Sequence, residues 1–221
     1  MDTKFWGPDG WLLLHQIAYT YPLTPTQIDK DNYKIFFESL KYVLPCIWCR
    51  KSYIIFVEEL PITDYLHSRA ALSEWLYLIH NKVNDKLRNQ GFLKTPNPAI
   101  TEIHNKYKGD MSIRGWDFIY CILLNYPEND ISAKMKLQYT IFFKYLCYVL
   151  PNLQIRQLYC TYYNTNSISN GLHDRKALIT WFYNIYKYIC NIHNISVSNY
   201  QDTCAKYEYY RAGCNNGTCK R

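Results

Sequence analysis

The chain has 221 residues, of which 48% are hydrophobic and 17% aromatic, whereas glycine and proline number only 8 and 9. This length and composition allow one large or two small globular domains, and the shortage of turn-forming residues favours long helices. Lys and Arg outnumber Asp and Glu by 25 to 18, which gives a net charge of +7, but the basic residues form no long block. We therefore expect no specific nucleic-acid partner.

No stretch of the sequence has the charged, apolar and small-residue order of a secretory signal, or the unbroken apolar length of a membrane span. We therefore expect a cytoplasmic protein without a membrane partner. The nine cysteines of such a chain are not typical of a disulfide scaffold, so they indicate catalytic or metal-binding sulfur.

Apolar residues recur at three- and four-residue spacing in several stretches before residue 90, which is typical of helices packed on one face. The predicted helices run from Gly10 to Ala18, from a cap at Asp31 to the residue before Pro45, from the cysteine pair to about Glu59, and from about Ser68 to Leu87. No alternating strand pattern interrupts them. The sequence therefore predicts an all-α fold that begins with a four-helix bundle.

The second half of the sequence repeats the first. The segment YKIFFESLKYVLP at 33–45 matches YTIFFKYLCYVLP at 139–151, and LHSRAALSEWL at 66–76 matches LHDRKALITWF at 172–182, both at an offset of 106 residues. A shared offset predicts an internal duplication, although two aromatic helices of biased composition would also look alike. The predicted units are a first domain at 1–95, a linker at 96–110, a degenerate helical repeat at 111–200 and a tail at 201–221.

Two cysteines, Cys46 and Cys49, follow Pro45 at the start of the third predicted helix. Thiols at this spacing lie one helical turn apart and can close into a disulfide, and the positive end of the helix dipole favours a thiolate there. Arg50 and Lys51 add positive charge. Redox chemistry is one interpretation of this pair. Half of a zinc site and two helix cysteines without a special role are the others.

A second polar group, His80-Asn81-Lys82-Val83-Asn84, lies on the fourth predicted helix. His80 and Asn84 are one turn apart, so this face could hold a planar ring with polar edges, or it could be an ordinary exposed helix end. The repeat has lost these residue types. Asn152 and Ile155 stand in place of the cysteine pair, and Tyr120, Tyr186, Lys187 and Cys190 in place of His15, His80, Asn81 and Asn84. We therefore expect the repeat to be a scaffold.

Four motifs taken together resemble the Erv/ALR family of FAD-dependent sulfhydryl oxidases. They are Gly-x-x-x-Trp-x-x-x-His (Gly7, Trp11, His15), Tyr21-Pro22, the Cys-x-x-Cys pair, and Trp-x-x-x-x-His-Asn-x-Val-Asn-x-x-Leu (Trp75, His80, Asn81, Val83, Asn84, Leu87). The resemblance covers about residues 5–90. It implies a four-helix bundle that holds FAD, in an enzyme that forms disulfides in protein dithiols and passes the electrons to oxygen to give hydrogen peroxide. The aromatic, asparagine-rich repeat suggests a viral member, which would act in the cytoplasm of the infected host or in the virion.

By the same resemblance, Cys49 is the flavin-proximal sulfur and Cys46 is the distal sulfur, open to incoming thiols. The residues implied to line the FAD are Gly7, Trp11, His15, Trp75, His80, Asn81, Val83, Asn84 and Lys86, with Tyr107 as a candidate at the adenine end. Cys214 and Cys219 resemble the second dithiol that family members often carry on a flexible arm. A tail disulfide with Cys204, or half of a metal site, would explain these two cysteines equally well.

The sequence departs from the family at two places. Pro8 stands where many members have an arginine, and residues 88–120 lack the structural cysteine pair that many members carry after the fourth helix. The partners that the resemblance implies are dithiol-containing substrate proteins or a thioredoxin-like relay protein, oxygen, and either a second copy in a homodimer or the repeat in an intrachain pseudo-dimer. No resident metal is expected.

Three other functions fit parts of the sequence. A zinc-binding helical module that contacts nucleic acid or protein could use Cys46 and Cys49 with two of His67, His80 or the tail cysteines. A flavin-free thioredoxin-like reductase would need strands around the cysteine pair. A purely structural pseudo-dimer would leave the polar residues of the first unit unexplained.

Overall fold

The computed structural model describes residues 2–108 and 114–212, and within these ranges the chain contains only helices and connecting segments. The α-helices are α1 (Thr3–Tyr19), α2 (Gln27–Val43), α3 (Ile47–Glu59), α4 (Arg69–Asn89), α5 (Ile100–Tyr107), α6 (Trp116–Leu124), α7 (Ala133–Val149), α8 (Leu153–Thr165), α9 (Arg175–Ile192) and α10 (Tyr200–Ala212). Short 3-10 helices occupy Ile62–Tyr65 and Ile168–Asn170. The all-α prediction is confirmed. None of the described helices is long and apolar enough to cross a lipid bilayer.

Capping side chains explain where the helices begin. The cap predicted at Asp31 is wrong, because Thr26 and Asp29 form a capping box one turn earlier: Thr26 Oγ1 accepts from the Asp29 amide at 3.2 Å, and the Thr26 amide donates to Asp29 Oδ2 at 2.9 Å. The start predicted at Ser68 is right, since Ser68 Oγ accepts from the Ala71 amide at 3.2 Å.

The linker predicted at 96–110 contains a helix. This segment forms α5, whose Ile103 and Tyr107 are buried against the first bundle. Helix α1 also extends further than predicted, since it begins at Thr3 with Asp2 as its cap rather than at Gly10. Sequence periodicity missed α5 because eight residues are too few to show a helical repeat clearly.

Three buried rings of the first bundle each donate one hydrogen bond to a backbone carbonyl. Tyr21 OH donates to Leu66 O at 2.9 Å, Tyr53 OH to Phe37 O at 3.0 Å, and Trp75 Nε1 to Leu60 O at 2.9 Å. A buried aromatic ring needs a partner for its polar hydrogen. These bonds therefore fix α2, α3 and α4 and their connections around one aromatic core.

The second half of the chain makes the same three bonds. Tyr126 OH donates to Leu172 O at 2.9 Å, Tyr159 OH to Phe143 O at 3.0 Å, and Trp181 Nε1 to Asn166 O at 2.9 Å. Each donor follows its counterpart in the first half by 105 or 106 residues. The paired bonds support the internal duplication, which stays a prediction.

The two halves pack together through α1 against α6 and α2 against α7. A Cβ placed on Gly10 would lie 3.0 Å from the ring of Phe118, and a Cβ placed on Gly115 would lie 2.7 Å from Leu13. These contacts are reciprocal, because Gly115 and Phe118 are the counterparts of Gly10 and Leu13 at an offset of 105. Reciprocal contacts of this kind are the mark of a two-fold interface.

Candidate active site

The cysteine pair lies at the N-terminus of α3. Cys46 is the N-cap residue, and its Sγ accepts a hydrogen bond from the amide of Cys49 at 3.3 Å. Helix α3 begins at Ile47, one residue after the start predicted at Cys46, because the sulfur of Cys46 occupies the capping position that an oxygen usually fills. The amide and the helix dipole both favour negative charge on the Cys46 sulfur.

The exposure of the two cysteines differs from the prediction. Cys46 is only 4% exposed, whereas Cys49 is half-buried. Capping turns the Cys46 side chain back under the first turn of α3, which removes it from the surface. In this conformation Cys49 is the more accessible of the two, which differs from the expectation that Cys46 is the open sulfur. The assignment of Cys46 as the sulfur that the substrate attacks stays a prediction.

The two cations predicted beside the sulfurs have other partners. Arg50 Nη1 donates to the carbonyl of Leu44 at 2.5 Å, and the ammonium of Lys51 lies 4.6 Å from the ring centroid of Trp48. Arg50 therefore fastens the start of α3 to the end of α2. The backbone of α3, rather than a nearby cation, provides the clearest positive environment for the pair.

Four aromatic and imidazole rings from α1, α4 and α5 form one cluster, which we call the ring cluster: Trp11, His15, His80 and Tyr107. Trp11 stacks on His80 with centroids 3.8 Å apart and planes at 8°. Tyr107 stacks on His15 with centroids 4.6 Å apart and planes at 4°. The two stacks are joined because His15 Nε2 and His80 Nδ1 are hydrogen-bonded at 3.0 Å.

Both imidazoles of the ring cluster are held in the neutral form. Burial, followed by the nearby His80, His104 and Lys106, lowers the pKa of His15 to about 3. Burial, followed by Lys106, lowers the pKa of His80 to about 4. At neutral pH one ring donates the hydrogen bond between them and the other accepts it. The cluster thus offers flat faces and uncharged polar edges.

Helix α5 adds a residue that the sequence analysis missed. His104 lies one turn before Tyr107, and its Nε2 is buried without a hydrogen-bond partner among the described residues. Its ring approaches that of Tyr19 with centroids 6.5 Å apart. A buried nitrogen without a partner is costly in a folded protein. No motif marked His104, because α5 itself was taken for a linker.

The last turns of α4 contact α3 and the segment before α5. Lys86 Nζ donates to Ser52 Oγ at 2.6 Å, which places this part of α4 beside α3 one turn after Cys49. Asn84 Nδ2 donates to Asn97 Oδ1 at 3.2 Å. Two predicted ligand residues therefore lie between the cysteine pair and the chain that leads into α5.

The remaining predicted ligand residues are more scattered. Asn81 and Val83 are half-buried on α4. Gly7 on α1 is half-buried, and a Cβ placed on it would meet no atom within 4 Å, so protein packing does not require glycine there. Trp75 is fully buried and hydrogen-bonded to Leu60, and its ring packs against that of Phe37, so these contacts are those of a core residue.

The zinc alternative receives no support from the described residues. Within 2–108 and 114–212, no three His, Cys, Asp or Glu side chains gather closely enough to hold a metal ion. His67 is exposed and its Nδ1 lies 3.1 Å from the carbonyl of Asp64. Cys214 and Cys219, the predicted shuttle pair, lie outside the described residues.

The model of the Erv1/Alr family matches residues 8–108. Residues 8–108 belong to the Erv1/Alr family. This Erv1/Alr segment comprises most of α1, the whole of α2 to α5, the cysteine pair and the whole ring cluster. The match therefore includes α5, which the predicted boundary at residue 95 had separated from the first unit.

Relatives of the Erv1/Alr segment come from viruses and from yeast. A probable FAD-linked sulfhydryl oxidase of Acanthamoeba polyphaga mimivirus is 45% identical over 85 residues, which are 38% of this chain and 59% of that protein. The mitochondrial FAD-linked sulfhydryl oxidase of Saccharomyces cerevisiae is 36% identical over 91 residues, which are 41% of this chain and 47% of that protein. The chain thus spans about half the length of these relatives.

A solved structure also resembles this chain. The crystal structure of the yeast Erv1 core is 31% identical, and the match covers 49% of this chain and 85% of that one with a TM-score of 0.44.

Proposed function

We propose that this chain is an FAD-dependent thiol oxidase that converts pairs of protein thiols to disulfides and passes the electrons to oxygen, giving hydrogen peroxide. The observation that carries the proposal is that one Erv1/Alr bundle holds a capped Cys46-Cys49 pair together with the ring cluster. The relatives named above as FAD-linked sulfhydryl oxidases support it. A zinc module would not need the stacked rings.

The ring cluster has the chemistry that a flavin dinucleotide requires. FAD contains two planar heterocycles with polar edges, which bind to flat aromatic faces and to uncharged hydrogen-bonding groups. Trp11, His15, His80 and Tyr107 supply both, and the unpartnered Nε2 of His104 supplies one more polar atom. The contact of Tyr107 with His15 supports its inclusion among the proposed FAD contacts, and its place at the adenine end stays a proposal on the resemblance alone.

The other proposed FAD contacts are less directly supported. Asn84 and Lys86 lie on the part of α4 that faces α3 and Asn97, where a cofactor would meet the cysteine pair. Gly7, Asn81 and Val83 stay proposals on the resemblance alone. We assign Trp75 a structural role instead, because its indole is fully buried and bonded to Leu60.

The cysteine pair performs the exchange with substrate. A substrate thiolate attacks the Cys46 sulfur of the Cys46-Cys49 disulfide, a mixed disulfide forms at Cys46, and Cys49 leaves as a thiolate. The second substrate thiolate then attacks the substrate sulfur of the mixed disulfide and releases Cys46. The Cys49 amide at 3.3 Å and the α3 dipole stabilise the Cys46 thiolate as it leaves. The substrate has then lost two electrons, and the cysteine pair has gained them.

Bound FAD supplies the two-electron chemistry that connects the reduced pair to oxygen. The chain's own residues position the ring system and exclude charge from it: at neutral pH the neutral imidazoles of His15 and His80 place no positive charge against the cofactor. Because Cys46 is nearly buried, access to it requires the first turn of α3 to open.

The proposed substrates are dithiol-containing proteins or a thioredoxin-like relay protein. We further propose that Cys214 and Cys219 relay electrons to Cys46 and Cys49. We also propose that the repeat takes the place of a second subunit in an intrachain pseudo-dimer, which the reciprocal packing of Gly10 and Gly115 supports. The mimivirus relative supports the proposal of a viral protein that acts in the infected cytoplasm or in the virion.

The test uses the purified full-length protein and its visible spectrum. A flavin spectrum that dithiothreitol bleaches without air, together with oxygen consumption and peroxide in air, is the expected result. Cys49→Ser should keep the bound flavin and lose dithiothreitol-dependent oxygen consumption. Cys121→Ser, at a buried cysteine of α6, is the matched control and should keep both. A folded protein that neither contains nor takes up FAD would refute the proposal.

A further inference from the structure

A second pair of cysteines meets in the repeat, between α7 and α8. Cys160 Sγ donates to the carbonyl of Cys147 at 2.9 Å, so the two cysteine residues are in direct contact. The positions 106 residues earlier hold Lys41 and Ile54. The pair is therefore not a remnant of Cys46 and Cys49, and the first unit folds without it.

Packing holds the two sulfurs in place. Tyr159, next to Cys160, donates from its hydroxyl to the carbonyl of Phe143 at 3.0 Å, one turn before Cys147 on α7. This bond fixes how α7 and α8 lie against each other around the pair. Cys147 is 5% exposed and Cys160 is half-buried. The 2.9 Å contact of Cys160 Sγ with the Cys147 carbonyl brings the two residues close enough for a disulfide, and Cys160 is the more accessible of the two.

The surroundings of the two thiols make them chemically unequal. The interaction with the Cys147 side chain lowers the pKa of Cys160 against the opposing effect of burial, and Arg156, one turn earlier on α8, lowers it further. The interaction with the Cys160 side chain and burial raise the pKa of Cys147. Cys160 is thus suited to attack first, and Cys147 to complete the reaction.

We propose that Cys147 and Cys160 form a second dithiol–disulfide site, which links α7 to α8 when a low-molecular-weight disulfide such as oxidised glutathione is present. The Cys160 thiolate attacks one glutathione sulfur, forms a mixed disulfide and releases one glutathione thiolate. Cys147 gives its proton to that thiolate, attacks the Cys160 sulfur and releases the second glutathione. The two cysteines lose two electrons and the glutathione disulfide gains them.

The Cys147–Cys160 disulfide would stiffen the pair of helices α7 and α8, on which the first unit packs through α2. Residues 147–160 form a short closed loop when the sulfurs join, and closing it removes freedom from the unfolded chain. Helix α7 packs directly on α2, whose end leads into Cys46. Oxidation at this site would therefore stabilise the scaffold beneath the cysteine pair without contributing a residue to the exchange.

The test is peptide mapping of the folded, full-length protein. Protein reduced with dithiothreitol and freed of it is treated with oxidised glutathione, quenched in acid, alkylated and cut with trypsin after Lys144, Arg156 and Arg175. We expect peptides 145–156 and 157–175 to be joined by a disulfide, and the melting temperature to rise by about 6–12 °C.

Two single variants separate the roles of the cysteines. Cys147→Ser should carry glutathione on Cys160 and lose the rise in melting temperature, whereas Cys160→Ser should leave Cys147 unmodified. The buried Cys121 and Cys190 are internal controls and should stay unlinked. Alkylation of both Cys147 and Cys160 after treatment, or a link from either to a different cysteine, would overturn the proposal. Because Cys147→Ser leaves Cys46 and Cys49 intact, its dithiothreitol oxidase activity tests the proposed function separately.

Discussion

Acid should destabilise this protein through the two histidines of the ring cluster. The folded pKa values of His15 and His80 are about 3 and about 4, whereas the ordinary value is 6.5. Both folded values are depressed, so the unfolded chain binds protons more readily than the folded one. The stability that the neutral imidazoles contribute is fully present above pH 6.5 and is lost as the pH falls from there towards 4.

The size of the loss follows from the same pKa values. At pH 5 an unfolded imidazole of ordinary pKa is protonated and a buried one is not, which costs the folded state about 2 kcal/mol for each histidine relative to pH 7.5. Both imidazoles are neutral in the folded cluster at pH 5, so the combined loss is about 4 kcal/mol. This is a large fraction of the stability of an ordinary domain.

The measurement is urea unfolding at pH 7.5 and pH 5 without added flavin. The free energy of unfolding of the wild type should fall by about 4 kcal/mol between pH 7.5 and pH 5, and that of His80→Asn by about 2 kcal/mol. The variant loses less because it has only one buried histidine of lowered pKa, His15. His67 is exposed, so His67→Asn is the matched control and should lose as much as the wild type. A His80→Asn protein with the wild-type loss would show that the reasoning is wrong.

Two further predictions compare matched positions. Trp75→Phe and Trp181→Phe each remove one indole hydrogen bond at 2.9 Å. Each variant should therefore lower the free energy of unfolding, measured in urea, by about 1–3 kcal/mol. An unchanged urea midpoint for either variant would contradict the assignment of that indole to the core. Gly115→Ala should lower the free energy of unfolding, measured in thermal melts, by about 1–3 kcal/mol more than Gly91→Ala does. Both glycines have positive φ, but only a Cβ at Gly115 would meet a neighbouring side chain. An equal loss for the two variants would contradict the close approach of α6 to Leu13.

The sequence predicted the helical fold well because the spacing of apolar residues along a helix shows directly which of its faces is buried. Apolar residues at three- and four-residue spacing marked α2, α3 and α4, and the cap at Ser68 was read correctly. The start of α2 was missed because several residues near Thr26 could act as a cap, and only the reciprocal bonds of Thr26 and Asp29 choose between them. Which of several possible residues caps a helix depends on the geometry of their hydrogen bonds, and a sequence does not show that geometry.

The sequence predicted most of the residues that form the candidate site, but it did not predict how each side chain is oriented or how buried it is. Trp11, His15, His80 and Tyr107 were all proposed, and the structure brings them together. Trp75 was proposed on the same grounds, but a motif does not reveal whether a ring faces the core or a ligand. The burial of Cys46 was missed for a related reason, since its exposure depends on the capping bond from Cys49.

The two units also share a feature that no offset reveals. Tyr207 of α10 stacks on Tyr120 with centroids 4.4 Å apart, as Tyr107 of α5 stacks on His15. Tyr120 is the counterpart of His15 at an offset of 105, but the two covering tyrosines are separated by 100 residues. In each half, then, a helix after the bundle places a tyrosine over the same ring position, although the connections differ in length.

That shared arrangement determines where the first unit ends. A segment that only connects two units need not place a tyrosine on His15. The matching stack of Tyr207 from α10 on Tyr120 in the repeat therefore indicates that α5 is part of the unit and not a linker. The Erv1/Alr match reaches residue 108, one residue beyond Tyr107. We infer that α5 belongs to the first unit, so a fragment that stops at residue 95 would keep Cys46 and Cys49 but lose the ring that covers His15.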